Sequence, residues 1–372
     1  MPDKQPRIDA QRLRQLLRKM VDIYSPSGKE RDLVNFLYGY LRRHGFPVIR
    51  QQVDEDRENL VIEPDDIEPE LLFLGHIDTV EAYDLGQYGF RQDKDEIYGL
   101  GTADMKSGCA AMIEAFLALW ESGYTKLPIA LALVVGEEDT GDGTRRLVRE
   151  FDFNAAIVGE PTNLAPCLTH YGYLEMQLLT TGRRVHASMA RQTSNPIHAM
   201  LQLLQKIINY LDEKRPEAVY NIRNLASSSS GFAVPEQCEA WLDIHLPPLT
   251  DLGSLTLELE EHVSTEGASF HPVEASVYFN TIHDGYRLPP KGALVEMVEQ
   301  AYQRLSIPFE PASFPSHSDA NLLWGAGVKS IILGPGLLDK AHTAEESVSF
   351  AQVIQAAQLY LEIAMSYVSD RT

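Results

Sequence analysis

The sequence has few cysteines, no long apolar run and a deficit of positive charge. Its 372 residues include three cysteines, Cys109, Cys167 and Cys238, far apart and without a CxxC pair. An odd, scattered set argues against a disulfide framework and for a reducing cytoplasm. No stretch of about 18 apolar residues exists, so no membrane-spanning helix is expected. The opening Met1-Pro2-Asp3-Lys4-Gln5 is polar and lacks the apolar core of a secretion signal. Lys and Arg total 32 against 53 Asp and Glu, a formal charge of −21. Such a chain repels phosphate backbones, which speaks against nucleic acid and anionic membrane as partners. The same acidity suits a protein that gathers cations. Repeats and low-complexity tracts are missing too, apart from the serines of residues 227–230, expected as a loop.

What is present is ordinary globular material. Apolar residues make up 44%, enough to build cores and to exclude general disorder. The length suggests two domains rather than one. Helical spacing of Leu13, Leu16, Leu17, Met20 and Val21, and of Leu33, Phe36, Leu37 and Leu41, predicts two N-terminal helices. Strands are expected over 47–53 and 59–62. Residues 71–74, 129–135 and 155–158 are short continuous apolar runs, the pattern of strands buried on both faces. A helix over 107–122 separates the first two of these. Each run is followed at once by imidazole or carboxylate: His76 and Asp78, Glu137 and Glu138, Glu160. Open α/β sheets place ligands at the C-terminal ends of their strands.

After about Tyr171 the pattern changes to alternation. Leu174, Met176 and Leu178 in one segment, and Ala240, Leu242 and Ile244 in another, predict strands with one wet face. Helices near 196–211 and 255–263 and a strand near 273–279 complete a small α+β unit. The first style returns with a helix over 292–305, a strand over 330–333 and a helix over 350–367. The expected fold is therefore α/β: a layered α/β/α domain with a mixed sheet (residues 1–170 and 283–372), with an inserted ferredoxin-like α+β domain (171–282).

Taken singly, the candidate residues are ambiguous. His76 and Asp78 share a strand face, so Asp78 can orient the imidazole; the pair also describes a turn histidine beside a solvated aspartate. Asp104 precedes a helix and would serve as a cap. Glu137 and Glu138 repel each other unless a cation holds one of them, or else form a solvated turn. His342 alone reads as a loop histidine. Together they supply imidazole and carboxylate donors without thiolates, a set suited to Zn²⁺, Mn²⁺ or Co²⁺. Two divalent ions bring +4 and Asp104, Glu138 and Glu160 bring −3, a balance a bridging hydroxide would close. Glu137 is left to handle protons.

The motifs GHIDTV, YGLGTADMKSG, VVGEED, GEPT, TGRRVHAS, GPG and AHTAEE occur in this order across nearly the whole chain. In order and spacing they resemble the di-zinc exopeptidases and deacylases, the family that includes acetylornithine deacetylase, succinyl-diaminopimelate desuccinylase and aminoacylase. The resemblance implies that His76 and Glu160 hold one metal and Glu138 and His342 the other. It implies that Asp104 bridges both through a cis peptide to Met105, that Asp78 orients His76, and that Glu137 is the general base. Two divalent ions, zinc first with cobalt or manganese possible, would be the cofactors. The inserted domain would be a lid that pairs two subunits, with His186 reaching across the dimer to the oxyanion. The substrate implied is an N-acyl amino acid or short peptide. Deacetylation in amino-acid biosynthesis is the first expectation, with di- or tripeptidase, carboxypeptidase or ureido-amidase activity, or a metal-binding homologue without turnover, as alternatives.

Three places depart from that pattern. Ala190 and Thr193 stand where Pro and Gly are usual, although Asn195 and Ile197 remain. His245 replaces an arginine expected to help bind a substrate carboxylate, giving a shorter and pH-dependent group. Ser316-His317-Ser318-Asp319 resembles a glycine-rich turn near the substrate but lacks its glycine. Asn195, His245 and Asp319 are the candidate substrate contacts.

Overall fold

The computed structural model describes residues 5–64, 67–190, 195–229 and 231–369. Thr193 lies outside them. The chain divides into two compact units, one of residues 1–168, 288–314 and 318–372, the other of residues 169–287 and 315–317.

In the first unit the strands are β1 (Val48–Gln52), β2 (Glu58–Ile62), β3 (Leu71–His76), β4 (Arg91–Asp93), β5 (Glu96–Tyr98), β6 (Ile129–Val134) and β7 (Ala155–Val158). Strand β8 (Cys167–His170) leads out of the unit. The second unit holds β9 (Gly172–Thr181), β10 (Val219–Ser227), β11 (Gln237–Leu246), β12 (Glu274–His283) and β13 (Tyr286–Arg287). The chain then returns for β14 (Ala312–Phe314), β15 (Lys329–Ile332) and β16 (Ser347–Ser349).

The main sheet runs β1-β2-β6-β3-β7-β15-β8-β13, with β14 beside β8. Its middle strands β6, β3, β7 and β15 are parallel, and the flanking pairings are antiparallel. Strands β3 and β6 are buried at every position, as parallel strands covered on both faces must be. Helices α1 (Ala10–Asp22), α3 (Lys106–Glu121) and α9 (Phe350–Ser369) pack on one another, and α3 lies against β3 and β6. Helix α2 (Arg31–Arg43) packs on β1 and β2, α4 (Asp142–Glu150) on β2, and α7 (Ala293–Arg304) on α9. Helix α8 (Asp319–Gly325) rests on β7 and β15. The mixed α/β architecture expected from the sequence is the one found.

The inserted unit is an antiparallel sheet in the order β10-β11-β9-β12, with helices α5 (Pro196–Lys214) and α6 (Leu252–Gly267). This βαββαβ sequence with the first and third strands central is the ferredoxin-like arrangement. Strand β9 alternates buried and half-buried residues along its whole length. Leu174, Met176 and Leu178 from β9 and Leu242 and Ile244 from β11 meet Leu203 and Ile207 of α5 and Leu255 and Leu259 of α6.

Helix α3 is buried almost all round, from Lys106 to Leu119, and its close seat on the sheet depends on glycine. A Cβ added to Gly108 would stand 2.2 Å from the Gly159 carbonyl oxygen, a backbone atom that cannot swing aside. Gly108→Ala is expected to lower stability by about 1–3 kcal/mol, read from the denaturant midpoint. An unchanged midpoint would contradict this packing.

Candidate metal centre

Parallel register brings the expected donors to one sheet edge. His76 ends β3 and lies opposite Val134, which ends β6. The chain leaving β6 turns at Gly136, with φ 76°, and Glu137 and Glu138 follow. In β7, Val158 lies opposite Leu74, so Glu160, two residues further on, comes level with His76. Asp104 arrives from the loop before α3, through a cis peptide to Met105. Met105 occupies the cap position and no side-chain capping bond forms, so Asp104 is not the helix cap. His342 stands in the loop after β15 with φ 58°.

Two donor groups result, His76 with Asp104 and Glu160, and Asp104 with Glu138 and His342. Within each, one ligand atom per residue lies within 4.8 Å of the others. His76 Nε2 is 3.0 Å from Asp104 Oδ1 and 3.7 Å from Glu160 Oε1. His342 Nε2 is 2.9 Å from Glu138 Oε2 and 3.4 Å from Asp104 Oδ2. One carboxylate thus faces both imidazoles. Tetrahedral ligands about 2.0–2.1 Å from a central ion stand roughly 3.3 Å from each other. The observed spacings bracket that edge. Glu160 Oε1 is buried and accepts no hydrogen bond, a cost of about 1–3 kcal/mol or more unless something fills the space. The residues present fit a pair of divalent ions.

The electrostatics point the same way. Burial raises the Glu160 carboxyl to about 8, helped by neighbouring Asp104. Glu137 is pushed well above the carboxylate range by burial and by Glu160, Asp319 and Glu138. His342, hydrogen-bonded to Glu138, is raised to about 9. His76 is raised as well: burial alone would lower it, but Glu160, Asp104 and Asp78 outweigh that. The carboxyls hold protons because too much negative charge is confined here, and bound cations reverse that logic.

Asp78 does more than the sequence suggested. The atom within hydrogen-bonding reach of His76 Nδ1 is the Asp78 backbone oxygen, at 3.1 Å; the carboxylate is 3.6 Å away, beyond a hydrogen bond. That carboxylate accepts from Ser27 Oγ at 2.6 Å, from Glu137 N at 3.2 Å and from Glu138 N at 3.1 Å. It therefore ties the turn carrying Glu137 and Glu138 to strand β3. Ser27 escaped the sequence reading because a serine in a Ser-Pro-Ser-Gly turn has no distinguishing pattern. Glu346 did too, although its motif was visible.

The remaining candidates have plainer settings. In the same unit, Asp319 opens α8, is buried, and neither of its oxygens accepts a hydrogen bond; burial lifts its carboxyl to about 7. In the inserted unit, His245 lies in β11 across from Tyr173, ring centroids 5.2 Å apart, with Nδ1 buried and unpartnered. Burial lowers its pKa. Asn195 caps α5, accepting from the backbone N–H groups of Ile197 and His198. His186 is exposed, its Nδ1 2.8 Å from Ser188 Oγ, and Ala190 is exposed.

A mixed α/β fold carrying acidic and imidazole donors at the mouth of its parallel strands is the frame of a metallohydrolase. The model of peptidase family M20/M25/M40 matches residues 72–366, and the chain belongs to that family. It is 30% identical over 341 residues to acetylornithine deacetylase of Pasteurella multocida (strain Pm70), covering 86% of each chain. It is 27% identical over 376 residues to a probable carboxypeptidase of Aspergillus terreus, covering 93% of this chain and 84% of that one. A tripeptidase from Staphylococcus aureus has the same fold, with a TM-score of 0.80 at 20% identity over 97% of this chain and 99% of that chain. The chain is thus a hydrolase of the metallopeptidase and deacylase class.

The raised pKa values have a consequence for ion uptake. At pH 7.5 the ion-free protein holds protons on His342 and Glu160, whose pKa values are about 9 and 8. Both must give up those protons to act as ligands. Ion binding is expected to release protons and to tighten as pH rises toward 9. Calorimetry of Zn²⁺ binding in two buffers of different ionisation enthalpy measures the release. Heats independent of the buffer would contradict it.

Proposed function

We propose that the protein is a two-metal amidohydrolase that removes an acyl group from the nitrogen of an amino acid. The observation that carries this reading is the Asp104 carboxylate facing both His76 and His342, with Glu137 Oε2 3.9 Å from His76 Nε2. His76 and Glu160 would hold one ion and Glu138 and His342 the other, with the Asp104 carboxylate common to both donor groups. Bound there, zinc or a similar divalent ion supplies Lewis-acid polarisation of a carbonyl and acidifies a water. Glu137 takes the proton from the attacking water and passes it to the leaving nitrogen. Asp78 holds the Glu137–Glu138 backbone in place for that transfer. The N-acyl preference is supported by the 30% identity to an acetylornithine deacetylase.

A second reading, carboxypeptidase or other peptidase action at the same site, is favoured by the resemblance to the Aspergillus protein. Asn195, His245 and Asp319 are the proposed substrate contacts, with His245 standing where an arginine is expected to meet the substrate carboxylate. Residues 171–282 are proposed as a lid and dimerisation domain, with His186 serving the oxyanion of the partner's site. A cytoplasmic location is proposed on the three cysteines, all free and buried. Among the described residues no helix is long and apolar enough to cross a membrane.

Glu137→Gln is expected to cut turnover by about 10²–10⁴-fold while two ions stay bound, tested on N-acetyl, N-succinyl and dipeptide substrates. Wild-type turnover confined to dipeptides would favour the second reading, and full activity in Glu137→Gln would remove Glu137 from the mechanism. Light scattering at micromolar concentration is expected to give twice the chain mass of 41.6 kDa. A monomer mass would contradict the dimer and the role of His186.

A further inference from the structure

The two donor groups are held to the fold very differently. His76 belongs to β3, and Glu160 follows β7 by two residues, so the central sheet fixes both. Asp104 and His342 come from loops. His342 has a half-exposed side chain and a left-handed backbone. What joins these two loops is Glu346, four residues beyond His342 and 4% exposed. Its Oε1 accepts from the backbone N–H groups of Ala103 at 2.8 Å and Asp104 at 3.0 Å. Its Oε2 accepts from Gly101 N at 2.8 Å. The Glu346 carbonyl in turn accepts from Gly99 N at 3.2 Å, and the next residue, Ser347, pairs with Tyr98. A single buried carboxylate therefore fills a concave ring of three N–H groups, which without it would be orphaned donors. Charge-assisted bonds of this kind are the strong ones.

We propose that Glu346 is a positioning residue whose carboxylate clamps the Asp104 loop to the His342 loop and thereby sets the affinity of the Glu138–His342 ion site. The clamp fixes the Asp104 backbone directly and limits how far His342 can stand from it. It acts on the ion held by Glu138 and His342 more than on the ion held by His76 and Glu160, because the latter two donors are placed by strands. Glutamine at this position would keep the size but turn an NH₂ donor toward backbone N–H donors. This inference rests on the two-metal reading above.

The test is stepwise Zn²⁺ titration of metal-free protein by calorimetry, repeated with Co²⁺ to follow its visible spectrum. It compares wild type, Glu346→Gln and the control Glu345→Gln, whose side chain is exposed. Wild type and Glu345→Gln should bind two ions per chain. Glu346→Gln should bind one ion with near wild-type affinity and the other about 10–100-fold more weakly, with an altered Co²⁺ spectrum. Equal weakening of both ions would reduce Glu346 to general scaffolding, and unchanged binding of both would remove its role. Failure of wild type to bind two ions would overturn the two-metal reading, and the clamp with it. A measurement on wild type alone covers the case in which Glu346→Gln does not fold. In metal-free protein the amides of Gly101, Ala103 and Asp104 should exchange slowly. Fast exchange until metal is added would show that the loop is ordered by ions and not by Glu346.

Discussion

Carboxylates crowded out of water are the constraint on which this structure depends. Asp104, Glu137, Glu138 and Glu160 gather within a few ångströms of two imidazoles, Asp104 and Glu160 buried and Glu137 and Glu138 half-buried. Burial raises the carboxyls of Glu137, Glu138 and Glu160, while His342 is raised by its bond to Glu138 and His76 by its acidic neighbours. A protein selected only for stability would have no reason to build it. Two divalent ions would offset that crowding with the donors already in place.

The rest of the first unit supports that cluster. Parallel strands carry His76 and Glu160 to one level. Glycines at positions 108 and 159 let α3 settle on the sheet so that the loop before it delivers Asp104. Asp78 fastens the Glu137–Glu138 turn from one side and Glu346 fastens the Asp104 loop from the other. Both act as buried acceptors for backbone N–H groups, a use of carboxylate separate from ion binding.

Much of this was legible in the sequence, for identifiable reasons. Strands β3, β6 and β7 stood out because they are buried on both faces and so read as continuous apolar runs. The polar residues that follow each run marked the sheet edge where donors collect. The inserted unit was visible in the switch to alternation at Leu174, Met176 and Leu178. Other parts carried no such mark. Strand β10 is exposed at almost every position, so it has no apolar period to detect. Helix α4 buries only Gly143, Thr144 and Leu147, too little for a recognisable stripe. Strands β4, β5 and β16 have three residues each, too few to show a period. The clamp made by Glu346 was hidden because its partners are main-chain N–H groups, which have no sequence signature.

The most direct test is a crystal of the zinc-loaded enzyme with anomalous differences recorded across the zinc edge. Two peaks about 3.5–4 Å apart are expected. One should lie against His76 and Glu160, the other against Glu138 and His342, with Asp104 touching both. A single peak, or two peaks that do not share Asp104, would contradict that arrangement.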